Sequence, residues 1–211
     1  MTEPTIFIVD DDAPVRDSLA LLLGLKGYAI RSFASAEDFL TACQPDWHGC
    51  LLLDIRMVGM NGLELQQQLI SRQIVLPIIF ITGHGDVAAA RAALKAGAAD
   101  FLEKPLDDQI LITTIADALE RSANQRDEAA AAQEIMDRMS RLTAREHEVM
   151  EKITLGEPNR EIARQLGISP RTVEVYKARM MEKMQARSLP ELIRLVLSIR
   201  KKATRLVSAP P

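Results

Sequence analysis

Carboxylates follow two of the apolar segments in the first part of the sequence. The aspartates 10–12 come directly after the apolar run 6–9, and Asp54 comes directly after the apolar run 51–53. Clustered carboxylates repel one another and ionise together only if a cation compensates them. Oxygen ligands of this kind favour Mg²⁺, and an aspartate beside such a metal is a suitable phosphoryl acceptor. The pattern therefore predicts metal-assisted phosphoryl chemistry if the fold brings these residues together.

Two further polar residues end later apolar segments. Thr82 follows the apolar run 78–81, and Lys104 follows the segment 99–103 and precedes Pro105. A hydroxyl and an ammonium group beside a metal would stabilise charge on the oxygens of a transferred phosphoryl group. Taken singly, such residues are more typical of a helix cap, a turn or a surface charge than of a site. Their order along the chain favours a shared site.

The elements that must position these residues alternate between strand and helix. The apolar runs 6–9, 51–53 and 78–81 suit strands buried on both faces, and weaker strands are predicted at 28–33 and 99–103. Helical spacing begins at Pro14 and recurs in the segments 36–43, 62–71, 87–96 and 107–121. Five β–α units in succession predict an α/β fold, a doubly wound five-stranded parallel sheet, whose strand ends share one edge.

The same positions resemble the receiver domain of two-component response regulators across nearly all of residues 4–121. The resemblance is carried by Val9-Asp10-Asp11, Asp54-Ile55-Arg56-Met57 with Gly62, Ile81-Thr82-Gly83 and Lys104-Pro105. It implies that Asp54 is the phosphoacceptor, and that Mg²⁺ is held by Asp10, Asp11, Asp54 and the Arg56 carbonyl. It further implies that Thr82 and Lys104 contact the phosphoryl group, that Lys104-Pro105 is a cis peptide, and that Phe101 is the aromatic switch residue. Val58 departs from the proline usual after Met57, which makes the lifetime of the phosphoryl group uncertain.

The second part of the chain is basic and helical. Residues 141–206 carry 15 Lys and Arg against 8 Asp and Glu, whereas the rest of the chain carries 11 against 21. Such a division suits a regulator with a nucleic-acid-binding end, although a charged helical bundle would show it too. The polar, alanine-rich segment 123–140 lacks Pro and Gly and is predicted to be a helical linker. The predicted domains are therefore 1–122, the linker 123–140, and 141–206.

Four helix starts are predicted in the basic segment. Thr143 with Glu146 and Ser188 with Glu191 form capping-box patterns, a third start lies at 158–159, and Ser169 caps the fourth ahead of Pro170. The turn 167–169 before that helix is the short turn of a helix-turn-helix. In the helix that follows, the core face is predicted to hold Val173, Tyr176, Met180 and Met184. The outward face is predicted to hold Arg171, Glu174, Val175, Ala178 and Glu182.

This segment resembles the LuxR-type helix-turn-helix across about residues 138–200. The motifs are Leu142-Thr143-Ala144-Arg145-Glu146, Asn159-Arg160-Glu161-Ile162-Ala163 and Leu166-Gly167-Ile168-Ser169-Pro170-Arg171-Thr172-Val173, and residues 82–86 and 171–176 resemble the FixJ branch of the NarL/FixJ class. The resemblance implies an all-α four-helix domain in which Glu174, Val175 and Ala178 face bases, and Arg171, Thr172, Tyr176 and Lys177 contact the DNA backbone. Pro158 replaces the Ser or Thr common before Asn159. The last helix, 189–200, is predicted to bury most of its apolar stripe against the domain, and the resemblance leaves open that part of the helix is a dimer interface.

Together the two resemblances imply a response regulator and not an enzyme. A sensor histidine kinase or a small acyl phosphate would phosphorylate Asp54. The surface with Arg91, Lys95 and Phe101 would then pair two receivers, and the homodimer would bind double-stranded DNA and regulate transcription. Activation, with RNA polymerase as a further partner, is the expected sense.

Two alternatives stay open. Asp10-x-Asp12 formally matches the nucleophile motif of haloacid-dehalogenase-like phosphatases, a reading that leaves Asp54 without a role. A constitutive DNA-binding protein could instead use the first domain only to dimerise. The chain shows no apolar run of membrane-spanning length and no signal-peptide pattern, and Cys43 and Cys50 match no metal spacing. We therefore expect a soluble cytoplasmic protein with reduced thiols.

Overall fold

The chain forms two compact units that divide between Gln125 and Arg126. The computed structural model describes residues 4–83 and 87–207. The first unit is built on a parallel sheet and the second from helices alone among its described residues. The predicted residues His84, Gly85 and Asp86 of the FixJ-like motif lie outside the described residues.

A five-stranded parallel sheet with the order β2-β1-β3-β4-β5 forms the centre of the first unit. Its strands are β1 Thr5–Val9, β2 Ala29–Phe33, β3 Gly49–Asp54, β4 Ile78–Thr82 and β5 Asp100–Glu103. The three central strands are almost wholly buried, because helices cover both faces of the sheet. This order leaves the carboxyl ends of β1 and β3 side by side.

Five helices connect and follow the strands: α1 Ala13–Leu25, α2 Ala36–Ala42, α3 Gly62–Ser71, α4 Val87–Lys95 and α5 Asp108–Ser140. The alternation of β1 divides its side chains between two cores. Phe7 and Val9 pack with α2 and α3, and Ile6 and Ile8 pack with α1 and α5. On the first face Trp47 stacks on Phe7, with ring centroids 4.5 Å apart. The Arg31 guanidinium lies 4.3 Å from the centroid of the Trp47 ring.

The helix α5 runs without a break through the predicted linker. Leu111 and Ile115 belong to the core of the first unit, and Ile135 belongs to the core of the second. The second unit continues with α6 Ala144–Thr154, α7 Asn159–Leu166, α8 Pro170–Lys183 and α9 Leu189–Val207. Its core also contains Val149, Ile162, Val173, Met180 and Leu192.

The helix starts follow the predicted caps with one correction. Thr143 and Glu146 form the complete capping box of α6, and Ser169 accepts the Thr172 N–H at the start of α8. The box predicted at Ser188 is half formed. Ser188 accepts the Glu191 N–H at 3.4 Å, but the Glu191 carboxylate accepts from the Arg187 N–H instead of the Ser188 N–H. Pro158 gives α7 no side-chain cap.

Both cysteines are free thiols, and burial raises the pKa of Cys50 to about 12. At neutral pH this thiol is therefore protonated and unreactive.

Among the described residues, none of the helices combines the length and the apolar character needed to cross a membrane.

Candidate functional site

Three carboxylates meet at the carboxyl edge of the sheet. Asp10 follows β1, Asp54 ends β3, and Asp11 stands beside Asp10 at the start of the loop to α1. Oxygen atoms of the three side chains all lie within 4.8 Å of one another. Asp10 and Asp54 are buried, with exposed fractions of 1% and 6%. Two buried carboxylates at this distance need a positive charge nearby.

Lys104 supplies part of that charge. Its Nζ donates to Asp10 Oδ2 at 2.8 Å and to Asp54 Oδ1 at 3.0 Å. The backbone holds Lys104 at this edge, because its N–H donates to the Thr82 carbonyl at 2.7 Å. The bond from Lys104 to Pro105 is cis, as the resemblance implies. The donor set is all oxygen, so the residues present fit a hard divalent cation.

Burial and pairing set the protonation of these groups. Burial raises the pKa of Asp54 above its ordinary value, against the lowering effect of Lys104. Burial alone would lower the pKa of Lys104, but its hydrogen bonds to Asp10 and Asp54 outweigh that effect and raise it. Lys104 is therefore charged at neutral pH, and Asp54 is a more basic carboxylate than an exposed one.

The β3–α3 loop, residues 55–61, closes one side of the pocket. The Arg56 N–H donates to Asp54 Oδ2 at 3.0 Å, and the Val58 N–H donates to Asp11 Oδ2 at 2.9 Å. The second bond exists because position 58 is not proline, which has no N–H. At the end of the loop Gly62 packs so closely that a Cβ there would lie 2.3 Å from the Asp54 carbonyl oxygen.

The predicted switch residues Thr82 and Phe101 lie on β4 and β5, and the predicted dimer-surface residues Arg91 and Lys95 lie on α4. Thr82 is buried, and its hydroxyl donates to the Gly83 carbonyl at 3.1 Å, so no hydrogen bond joins it to Asp54. Phe101 is 38% exposed and lines a shallow apolar depression with Arg91, Leu94 and Lys95. The structure thus brings Arg91, Lys95 and Phe101 to one surface, and none of the three carboxylates lines it.

The helix α8 separates its residues into the two predicted faces. Val173, Met180 and Met184 are buried, and Tyr176 packs partly buried against them. After Pro170, the exposed residues of α8 are Arg171, Glu174, Val175, Ala178, Arg179 and Glu182. Thr172, predicted to contact the DNA backbone, uses its hydroxyl in a 2.8 Å hydrogen bond with the Ser169 hydroxyl. Lys177 is partly buried at the edge of the outward face.

An ion pair that the sequence did not reveal joins α8 to α6. Lys183 Nζ donates to Glu146 Oε2 at 2.7 Å, and the Glu146 side chain is 3% exposed. Burial opposes the ionisation of Glu146, but the hydrogen bonds from Lys183 and Thr143 outweigh it and hold its pKa below the ordinary value. Glu146 therefore completes the capping box of α6 and also holds the C-terminal end of α8.

Two family models match the chain. The model described as response regulator receiver domain matches residues 6–143, and the model described as bacterial regulatory proteins, luxR family, matches residues 140–196. Among curated relatives, the transcriptional regulatory protein FixJ of Azorhizobium caulinodans is 48% identical over 91% of each chain. FixJ of Rhizobium meliloti is 45% identical over 94% of this chain and 97% of the relative.

Two solved structures of related proteins match more than 90% of this chain. The response regulator StyR superposes with a TM-score of 0.83 at 42% identity, covering 92% of this chain and 98% of that one. Full-length FixJ from B. japonicum gives a TM-score of 0.60 at 44% identity, covering 95% and 99%. The FixJ relatives are transcriptional regulatory proteins, and the combination of a receiver with a LuxR-type domain is that of a regulator and not of an enzyme, which removes the phosphatase alternative. The chain therefore belongs to the two-component response regulators, as a FixJ-like member that joins a receiver domain to a LuxR-type DNA-binding domain.

Proposed function

We propose that this response regulator accepts a phosphoryl group on Asp54 and then binds DNA as a homodimer to activate transcription. The observation that carries the proposal is the position of Lys104 Nζ, within 3.0 Å of both Asp10 and Asp54 at the shared strand edge. A phosphohistidine of a sensor kinase or a small acyl phosphate is the proposed donor. Because the DNA partner requires it, the proposed location is the cytoplasm.

The chemistry is the transfer of a phosphoryl group from a histidine nitrogen, or from the oxygen of an acyl phosphate, to a carboxylate oxygen of Asp54. An Asp54 carboxylate oxygen attacks phosphorus, a P–O bond forms, and the bond from phosphorus to the donor breaks, so the donor leaves with its electron pair. Lys104 already contacts Asp54 Oδ1 and stabilises charge on the phosphoryl oxygens. Thr82 turns its hydroxyl from the Gly83 carbonyl towards the new phosphoryl group.

Magnesium is the proposed cofactor of the pocket. Asp10, Asp11, Asp54 and the Arg56 carbonyl would hold it, and when bound it would neutralise charge on the phosphoryl oxygens. The close approach of the three carboxylates supports this assignment, because they lie at a spacing that one ion can bridge.

Dimerisation is proposed for the surface formed by Arg91, Leu94, Lys95 and Phe101. Leu94 and Phe101 are 43% and 38% exposed, and the two cations flank them. Apolar residues ringed by charge are typical of regulated interfaces. On DNA, the proposed base contacts come from Glu174, Val175 and Ala178, and the phosphate contacts from Arg171, Thr172, Tyr176 and Lys177.

The first test is the intact mass of the protein after incubation with acetyl phosphate and Mg²⁺. The wild type is expected to gain one phosphoryl group and Asp54→Asn none. The wild-type adduct is also expected to run as a dimer by light scattering and to bind promoter DNA more tightly. A wild type that binds DNA equally with and without phosphodonor would support the constitutive alternative, in which the receiver only dimerises.

A further inference from the structure

We propose that Glu37 is a positioning residue for the phosphoacceptor pocket, acting through the β3–α3 loop. Glu37 lies in the first turn of α2, outside the pocket. Its Oε1 accepts the Met60 N–H at 2.9 Å. The inference rests on the proposed function, since it concerns the same pocket and the same metal.

Three amides of the loop, at alternate positions, each donate to a different carboxylate. The Arg56 N–H donates to Asp54 at 3.0 Å, the Val58 N–H donates to Asp11 at 2.9 Å, and the Met60 N–H donates to Glu37. The first two carboxylates belong to the pocket and the third does not. Glu37 therefore fixes the far end of a segment whose near end contacts two proposed metal ligands.

Met57 and Met60 pack against the core, whereas Val58 and Gly59 between them are exposed. Val58 is 83% exposed, and its φ is not locked by a proline ring. Gly59 has a φ of +82°, and a Cβ at that position would lie 2.9 Å from Glu37 Oε1. The glycine thus gives the carboxylate room to sit on the loop. Without the Glu37 contact, the flexible Gly59 and the exposed Val58 would allow the Val58 N–H to move away from the Asp11 carboxylate.

The contact between Glu37 and the loop is expected to affect the binding of Mg²⁺ first, and the rate of phosphorylation as a result. The proposed ligands Asp11 and the Arg56 carbonyl are both connected to the loop. A loop held in one conformation presents them already oriented, so that less conformational freedom is lost on binding. Loss of the Glu37 contact is therefore expected to weaken Mg²⁺ binding and to slow phosphorylation, while the core of the receiver stays intact.

Three variants of the full chain test the inference. Glu37→Ala removes the acceptor, Glu37→Gln keeps an oxygen at that position without the charge, and Asp38→Ala is the matched control. Asp38 is also an acidic residue in the first turn of α2, so both alanine variants lose the same favourable interaction with the helix dipole. The Mg²⁺ dissociation constant is measured by NMR titration without phosphodonor. Hydrogen exchange of the Met60 amide and the rate of adduct formation complete the set.

Glu37→Ala is expected to lose Met60 protection and to raise the Mg²⁺ dissociation constant about three- to tenfold, as for loss of one solvent-exposed hydrogen bond. Glu37→Gln is expected to restore most of the affinity, and Asp38→Ala to match the wild type. Equal affinities for Glu37→Ala and Asp38→Ala would overturn the inference, as would a glutamine variant as weak as the alanine variant. A wild type that binds no Mg²⁺ and gains no phosphoryl group would instead overturn the proposed function itself.

Discussion

Replacing Gly62 by alanine should destabilise the receiver and disturb its acceptor together. Gly62 begins α3, and its N–H donates to the Ile55 carbonyl at 3.0 Å. A Cβ there would lie 2.3 Å from the Asp54 carbonyl oxygen and 3.1 Å from both Ile55 Cα and Phe80 Cε1. The first distance is about 1 Å inside the normal C···O contact of about 3.3 Å.

The cost follows from which atoms must move. The nearest atom belongs to the backbone of β3, which is buried between two helical layers, so no flexible side chain can relieve the overlap. Overpacking of this kind costs about 1–3 kcal/mol, and the upper end applies when backbone must shift. The gain in helix propensity from glycine to alanine offsets at most about 1 kcal/mol. The net loss should be about 2 kcal/mol, or roughly 6–10 °C in the melting temperature of a unit this size.

Gly24 provides the matched control for the Gly62→Ala test. It lies within α1, and a Cβ there would meet nothing within 4 Å. Gly24→Ala should therefore stabilise the protein by about 0.5–1 kcal/mol. The assay is hydrogen exchange of the β3 amides, which resolves the receiver from the rest of the chain. Equal exchange in Gly62→Ala and the wild type would refute the packing argument. The variant should also form the Asp54 adduct more slowly, because the clash displaces the acceptor.

Three other perturbations probe the DNA-binding domain. Lys183→Met leaves Glu146 buried without its cation and should cost about 1–2 kcal/mol near neutral pH in urea unfolding. The folded pKa of Glu146 is lowered, so the advantage of the wild type is full above the ordinary carboxyl pKa. It shrinks as pH falls through the folded value, and a pH-independent difference would contradict this account. Arg171→Ala should weaken binding to all DNA sequences alike and reduce the salt slope of fluorescence anisotropy titrations by about one, whereas a change confined to one base position would assign Arg171 to base readout. Gly167 has a φ of +66° with open space around it, so Gly167→Ala should cost about 1 kcal/mol from the left-handed conformation alone, measured by thermal unfolding, and Gly167→Asn should cost less.

The fold follows from patterns that the sequence displays openly. The runs that became β1, β3 and β4 are apolar at every position, because helices cover both faces of the sheet. The edge strands were harder to delimit. Tyr28 was predicted to begin β2, but its N–H donates back to the Leu23 carbonyl and closes α1, so the strand begins at Ala29. That choice depends on a backbone hydrogen bond and not on residue type.

The pocket was predictable to the extent that strand ends determine it. Asp10 and Lys104 each follow a strand and Asp54 ends one, and parallel strands bring such residues to one edge. Contacts that depend on side-chain direction were not predictable. In the sequence Glu37 is one of two acidic residues at the start of a helix. Nothing near it in the sequence indicates a hydrogen bond from the Met60 N–H, 23 residues away. The ion pair between Lys183 and Glu146 spans 37 residues and was missed for the same reason.

The single tryptophan gives the receiver an optical label of its own. Trp47 is the only indole in the chain, and it is stacked on Phe7 beneath the Arg31 guanidinium. Its emission should therefore report the unfolding of the receiver alone, whereas the far-ultraviolet dichroism sums the helices of both domains. Denaturation followed by the two signals would give coincident curves if the domains unfold together, and separate curves if they unfold independently. The same two curves recorded with and without phosphodonor would show whether phosphorylation couples the unfolding of the two domains, and no attached dye is needed.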